Sequence, residues 1–177
     1  MAATKTSRPS WIAWISNQVH PITKKTDPAP RVALVGIGNE LNGDDAAGVA
    51  AARRLRPLFA GSSNVLVLEG GQVVENVTGS LRRFQPDWVI LIDAAWFDGR
   101  PGEIRGLDWR EADGFSASTH TLPLSVTAAY LESELNCRVL LVGVQAESVV
   151  FGEKMSRRSA RAVTALVKGL QELFSPA

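Results

Sequence analysis

Several acidic residues follow or end apolar runs of the sequence, and a histidine lies just before a predicted helix that starts near Pro123. Asp45 lies in GIGNELNGDDAAG, which follows RVALV; Glu69 and Asp93 end the runs VLVLE and VILID, and His120 lies in STHTLPL. Ionised carboxylates that lie together repel one another unless a cation or a shared proton compensates them. Aspartate oxygens and an imidazole nitrogen suit nickel, zinc, iron or manganese. If these residues converge, a metal ion is the simplest counter-ion.

Each candidate residue also has a structural explanation. Asp45 precedes a predicted helix, where a carboxylate interacts well with the helix dipole, and its neighbour Asp44 is the better candidate for a helix cap. Asp93 could be a solvated strand end, and His120 could bond the backbone at the entry to a helix. The local sequence leaves both explanations open.

The glycines of the first segment do not match a phosphate-binding loop. Gly36, Gly38 and Gly43 give the spacing G-x-G-x-x-x-x-G, the dinucleotide motif is G-x-G-x-x-G, and no Walker lysine follows. We expect them to permit a sharp turn and the close approach of a ligand or partner chain. The sequence also lacks the G-x-S-x-G motif of serine hydrolases and the H-E-x-x-H motif of zinc proteases.

The elements that must position these residues alternate between strand and helix. Continuous apolar runs predict buried strands, and helical spacing of apolar residues follows most of them. The predicted strands are RVALVGI, NVLVLEGG, PDWVILIDAA, GEIRGLD and CRVLLVGV. We predict a three-layer, doubly wound α/β fold with a mostly parallel sheet of about five strands and helices on both faces. Ligands bind outside the carboxyl ends of such strands, so the acids and His120 should face one edge.

Length and composition predict one α/β domain over residues 31–177, because 177 residues with 45% hydrophobic content bury one core. Residues 1–30 form an N-terminal arm and linker in this division. The segment PSWIAWIS within the arm predicts a short helical turn with Trp11, Ile12, Trp14 and Ile15. This turn either packs on the domain or docks a partner.

Charge and hydropathy exclude several kinds of partner. A formal net charge of +1 without long basic runs argues against nucleic acid binding. The apolar runs are shorter than the roughly 18 residues of a membrane span, and the N-terminus lacks the features of a signal peptide. The single cysteine, Cys137, lies in a predicted strand and reads as a core thiol. We therefore expect a cytoplasmic protein, and a monomer.

Five ordered motifs resemble those of one family, the nickel-iron hydrogenase maturation endopeptidases. The motifs are GIGNELNGDDAAG, LEGGQVVEN, VILIDAAWFDGRPGEIRGLD, STHTLPL and LLVGVQAES, and the resemblance runs from about Arg31 to about Leu173. It is strongest to the subgroup that acts on large subunits of the formate-hydrogenlyase type. The resemblance implies a five-stranded α/β sheet, with the metal-binding and catalytic positions of the family at Asp45, Asp93 and His120.

The resemblance also implies a specialised cleavage. Enzymes of this family recognise nickel already inserted in a hydrogenase large-subunit precursor and remove a short C-terminal extension. Nickel would then be supplied by the substrate and not bound tightly by the free enzyme, with Asp45, Asp93 and His120 adding ligands to it. Two other functions remain open. One is a non-enzymatic nickel-binding checkpoint or chaperone protein, and the other is a nucleotide-binding α/β domain.

Overall fold

The computed structural model describes residues 9–19, 29–111 and 123–175, which form one five-stranded sheet between two layers of helices. The strands are β1 (Val32–Ile37), β2 (Val65–Gly71), β3 (Trp88–Ala95), β4 (Ile104–Leu107) and β5 (Arg138–Gln145). The α-helices are α1 (Ser10–Val19), α2 (Ala47–Leu55), α3 (Thr78–Phe84), α4 (Leu124–Leu135) and α5 (Arg157–Phe174).

The strands lie in the order β2-β1-β3-β5-β4. Neighbouring pairs among β1, β2, β3 and β5 are parallel, and the short β4 joins the edge antiparallel to β5. The chain goes from β1 outward to β2 and then returns to the other side of β1 with β3, so the strand order reverses between β1 and β3. Such a reversal opens a crevice at the carboxyl ends of the two strands. The predicted doubly wound, mostly parallel α/β fold is confirmed.

Two apolar clusters cover the opposite faces of the sheet. Leu34 and Ile90 point toward the cluster formed with α1, α2 and α5, whereas Val35 and Leu91 point toward the cluster formed with α3 and α4. Successive side chains of a strand point to opposite faces, and both faces of β1 and β3 are buried here. This explains why those strands read as continuous apolar runs.

Helix α2 is short, because 3-10 turns occupy both of its ends. A 3-10 turn at Gly43–Ala46 precedes α2, and another at Arg56–Phe59 follows it. Pro57 lies in the second turn, where its missing N–H and its ring are incompatible with continued α-helix. In the described ranges, no helix combines the length and the apolar character needed to cross a bilayer.

Helix α2 begins unusually close to β1 and β3. A Cβ atom at Gly36 would lie 2.1 Å from the Gly48 carbonyl oxygen, and one at Gly48 would lie 2.1 Å from the Ile92 carbonyl oxygen. Both positions therefore require glycine. The close neighbour at Gly36 is the chain's own helix, which corrects the expectation that this glycine admits a ligand or partner chain.

The N-terminal helix α1 packs against α5 and β4. Trp11, Ile12 and Ile15 are buried in the same cluster as α2 and α5. The fit is tight, because a Cβ atom at Gly169 of α5 would lie 2.5 Å from Ile12 Cδ1. The sequence left open whether this helix packs on the domain or docks a partner, and the structure shows that it packs on the domain.

Ile15→Ala is expected to lower the free energy of unfolding by about 2–4 kcal/mol, because it leaves a cavity at a fully buried position. Urea unfolding of the full chain measures the change. Asn17→Ala on the exposed side of the same helix is the matched control and should change stability by less than about 0.5 kcal/mol. Equal stabilities of the two variants would show that α1 does not contribute to the core.

Candidate active site at the carboxyl ends of the strands

Asp45 lies in the 3-10 turn that follows β1, and its side chain is almost completely buried, with 1% exposure. Its Oδ2 atom accepts a hydrogen bond from the backbone N–H of Asn39 at 2.9 Å. Gly38 has a φ of +126°, and a Cβ atom there would meet the Asp45 carbonyl oxygen at 1.8 Å and Oδ1 at 3.4 Å. The glycine turn thus holds the Asp45 carboxylate against the end of β1.

Asp44 does not cap α2, contrary to the sequence-based expectation. Its carboxylate accepts hydrogen bonds from the backbone N–H groups of Glu147 at 2.7 Å and Ser156 at 2.7 Å, and from the Ser156 hydroxyl at 3.1 Å. Ser156 is itself the N-cap of α5, where its hydroxyl oxygen accepts from the Ser159 N–H. The buried Asp44 therefore joins the loop after β1 to the loop between β5 and α5.

Asp93 is 3% exposed and lies in β3 at the switch point of the sheet. Pairing of β3 with β1 ends at Ile92, so Asp93 is the first residue of β3 beyond that pairing. Its Oδ1 atom accepts from the N–H of Ala94 at 2.8 Å. Alternation along β3 directs Asp93 to the face of Val89 and Leu91, which is also the face that α4 covers.

Asp45 follows β1 and Asp93 lies near the carboxyl end of β3, so both lie at the same end of two neighbouring parallel strands. Gly48, at the start of α2, touches the carbonyl of Ile92, which directly precedes Asp93. His120 lies outside the described residues. Within residues 9–19, 29–111 and 123–175, no group of three histidine, cysteine or acidic side chains is arranged to hold a metal ion. The described part of the site is therefore a pair of buried carboxylates.

Glu69, the other acid expected near this edge, is balanced by arginines. Arg53 Nη2 lies 2.8 Å from Glu69 Oε2, and Arg56 Nη1 lies 3.1 Å from Glu69 Oε1. Arg53 also pairs with Glu40, and this hydrogen bond lowers the pKa of the Glu40 carboxyl. Because guanidinium groups already compensate Glu69, its charge requires no metal ion.

Cys137 lies immediately before β5, at the end of the sheet opposite to the one that carries Asp45 and Asp93. Burial, with a smaller contribution from Glu132, raises the pKa of its thiol to about 11. A thiol with such a pKa is almost entirely protonated at neutral pH and is a poor nucleophile. The prediction of a core thiol agrees with this environment, and Cys137 is no candidate for the catalytic group.

The fold and the two buried acids define an α/β protein whose polar site lies at the carboxyl ends of β1 and β3. The family model described as HycI, hydrogenase maturation protease, matches residues 49–172. The chain belongs to this family and is a hydrogenase maturation endopeptidase. The matched residues include Asp93 and His120, whereas Asp45 lies just before them.

Similar proteins match most of the chain. The hydrogenase 3 maturation protease of Escherichia coli K12 is 30% identical over 139 residues, which are 78% of this chain and 87% of the relative. The crystal structure of the NiFe-hydrogenase maturation protease HycI from Thermococcus kodakarensis is similar with a TM-score of 0.75 and 33% identity, covering 83% of this chain and 94% of that one. The solution structure of the E. coli endopeptidase HycI gives a TM-score of 0.70 at 29% identity, covering 80% and 90%.

Proposed function

We propose that this endopeptidase removes the C-terminal extension of a nickel-iron hydrogenase large-subunit precursor after recognising the inserted nickel. Asp45, Asp93 and His120 add oxygen and nitrogen ligands to a nickel ion that the precursor already holds. The enzyme acts as a cytoplasmic monomer.

The observation that carries this proposal is the pair of buried carboxylates at the switch point between β1 and β3. Asp45 and Asp93 are each at least 97% buried, on elements that touch through Gly48 and Ile92. Two carboxylates in such surroundings favour a cation at that edge. A cation that arrives with the substrate fits these ligands, since oxygen and imidazole donors accept nickel without thiolates from the enzyme.

His120 is proposed as the third ligand because of its place in the sequence relative to α4. It precedes Pro123, the residue before α4, and α4 covers the face of the sheet toward which the alternation of β3 directs Asp93. A histidine ahead of that helix is suited to complete a set of two oxygen ligands and one nitrogen ligand.

In the proposed reaction, water adds to the peptide carbonyl before the extension, and the C–N bond then breaks. The nickel held by the precursor polarises the carbonyl or activates the water, while a carboxylate of the site transfers protons. The new carboxyl group remains on the large subunit, and the extension leaves with a free amino group. No covalent intermediate with the enzyme is formed.

The experiment that tests this function uses matched nickel-loaded and nickel-free precursors. The protein is first treated with a chelator, which is then removed. Mass spectrometry should show loss of the C-terminal extension only from the nickel-loaded precursor. A free enzyme without tightly bound metal should be active immediately, because the ion comes with the substrate.

Two results would contradict the proposal in different ways. Equal cleavage of the nickel-free precursor, or activity that returns only when zinc is added, would indicate another peptidase mechanism. Stoichiometric nickel binding by the protein without processing of the nickel-loaded precursor would favour a checkpoint or chaperone protein.

A further inference from the structure

Large apolar side chains are exposed mainly at the edge of the sheet that carries Asp45 and Asp93. In the described ranges, eight large hydrophobic residues are exposed, and five of them follow the carboxyl ends of parallel strands. These five are Leu41, Val73, Trp96, Val150 and Phe151. Clustered exposure of this kind differs from the scattered single residues that are normal on protein surfaces, and it marks interaction sites.

Three of these residues lie on two loops that are bonded together. Leu41, Val150 and Phe151, which we call the apolar patch, are 59%, 55% and 74% exposed. The N–H of Gly152 donates to the Leu41 carbonyl at 2.7 Å, so the loop after β1 and the loop after β5 run side by side. A second bond joins the N–H of Gly43 to the Glu153 carbonyl at 3.2 Å.

The same two loops hold the candidate active site. The N–H of Asp44 donates to the Ser148 carbonyl at 2.8 Å, and the Asp44 carboxylate binds Glu147 and Ser156 of the second loop. Asp45 is the next residue of the first loop. The apolar patch is therefore fixed relative to Asp45, and a surface that docks on the patch is positioned relative to the site.

The shape of the patch fits a protein surface better than a small ligand. Small molecules bind in concave pockets, and two cavities lined by described residues, of about 620 and 440 Å³, do not include the residues of the patch. The side chains of the patch project into solvent. Polar groups with partners border it, since Glu40 pairs with Arg53 and the Ser148 hydroxyl donates to Glu153 Oε2 at 2.6 Å. An apolar centre with a polar rim is the usual anatomy of a protein interface.

We propose that the apolar patch formed by Leu41, Val150 and Phe151 docks an apolar surface of the folded large-subunit precursor beside its C-terminal extension. This inference rests on the proposed function, because it assigns a second contact of the same substrate. The patch contributes to affinity and orientation, while Asp45 and Asp93 contact the reacting region. Recognition then requires a folded partner in addition to the cleavage sequence.

The test compares Phe151→Ser and Leu41→Ser with the control Leu58→Ser. Leu58 is 44% exposed and lies in the 3-10 turn between α2 and β2, at the opposite edge of the sheet. With the nickel-loaded precursor, both patch variants should lower kcat/KM by about 10- to 100-fold, mainly through a higher KM. The control should match the wild type. Thermal melting of all three variants should remain unchanged, because the substituted side chains are exposed.

A binding measurement separates this inference from the proposed function. The single variant Asp45→Asn and the double variant Asp45→Asn with Phe151→Ser are compared for their affinity to the immobilised nickel-loaded precursor. This measurement does not require cleavage. The combined variant should bind about 10- to 100-fold more weakly. The proposed docking surface would be wrong if the single and double variants bound the precursor equally well, or if Leu58→Ser weakened binding as much as Phe151→Ser. A wild-type protein that binds the precursor through the patch but does not cleave it would contradict the proposed function alone.

Discussion

Replacing Asp45 with asparagine is expected to reduce processing of the nickel-loaded precursor by about 100-fold or more. Asparagine keeps the shape of the side chain and can still accept the hydrogen bond from the Asn39 N–H. It removes the negative charge that a cation requires. The variant should therefore stay folded by circular dichroism and lose the charge interaction with substrate-held nickel.

Asp93→Asn should behave in the same way, because an amide oxygen can still accept from the Ala94 N–H. Initial rates of precursor cleavage measure both effects. Glu69→Gln is the matched control, since Glu69 is an acid of the same edge whose charge Arg53 and Arg56 already balance. It should retain processing within about threefold, because partly exposed ion pairs contribute little.

If Asp45→Asn and Asp93→Asn process the precursor at the wild-type rate while remaining folded, these acids are not ligands of substrate nickel. If Glu69→Gln loses as much activity as the two aspartate variants, the site extends along β2. In that case the arginines around Glu69 would belong to the catalytic apparatus.

Much of the fold was predictable because its signals are local. The apolar runs of β1 and β3 are continuous, since each strand is covered on both faces. Asp93 could be found because it is the acid at the end of such a run, and the strand-end rule then placed it beside the segment that contains Asp45. This reasoning requires only that parallel strands present their carboxyl ends at the same edge.

The remaining features depend on contacts between distant segments. The carboxylate of Asp44 binds Glu147 and Ser156, which lie 103 and 112 positions later in the chain. No local sequence pattern predicts these hydrogen bonds. The packing of α1 is similar, because Ile12 fits against Gly169, and Trp14 lies over Gly106 of β4. A glycine that accommodates a side chain from another helix reads in the sequence as an ordinary small residue. Tertiary contacts of this kind become visible only in the folded chain.

Asp44→Ala is expected to lower the free energy of unfolding by about 3–5 kcal/mol. The carboxylate is 1% exposed and accepts from two backbone N–H groups at 2.7 Å and from the Ser156 hydroxyl at 3.1 Å. Alanine leaves these donors without their acceptor in the loop between β5 and α5. Processing should also decline, because this loop carries part of the apolar patch and borders Asp45.

Urea unfolding measures the global loss, and hydrogen exchange at the amides of Glu147 and Ser156 measures the local one. Glu147→Ala is the matched control, because it removes the exposed ion pair with Arg158 but keeps the backbone N–H that Asp44 binds. It should cost less than about 1 kcal/mol. If the amides of Glu147 and Ser156 exchange hydrogen no faster in Asp44→Ala than in the control, other contacts hold the loop. The role of the Asp44 carboxylate in joining the two loops would then be wrong, and the backbone hydrogen bonds of Gly43, Asp44 and Gly152 would hold the apolar patch beside Asp45 without it.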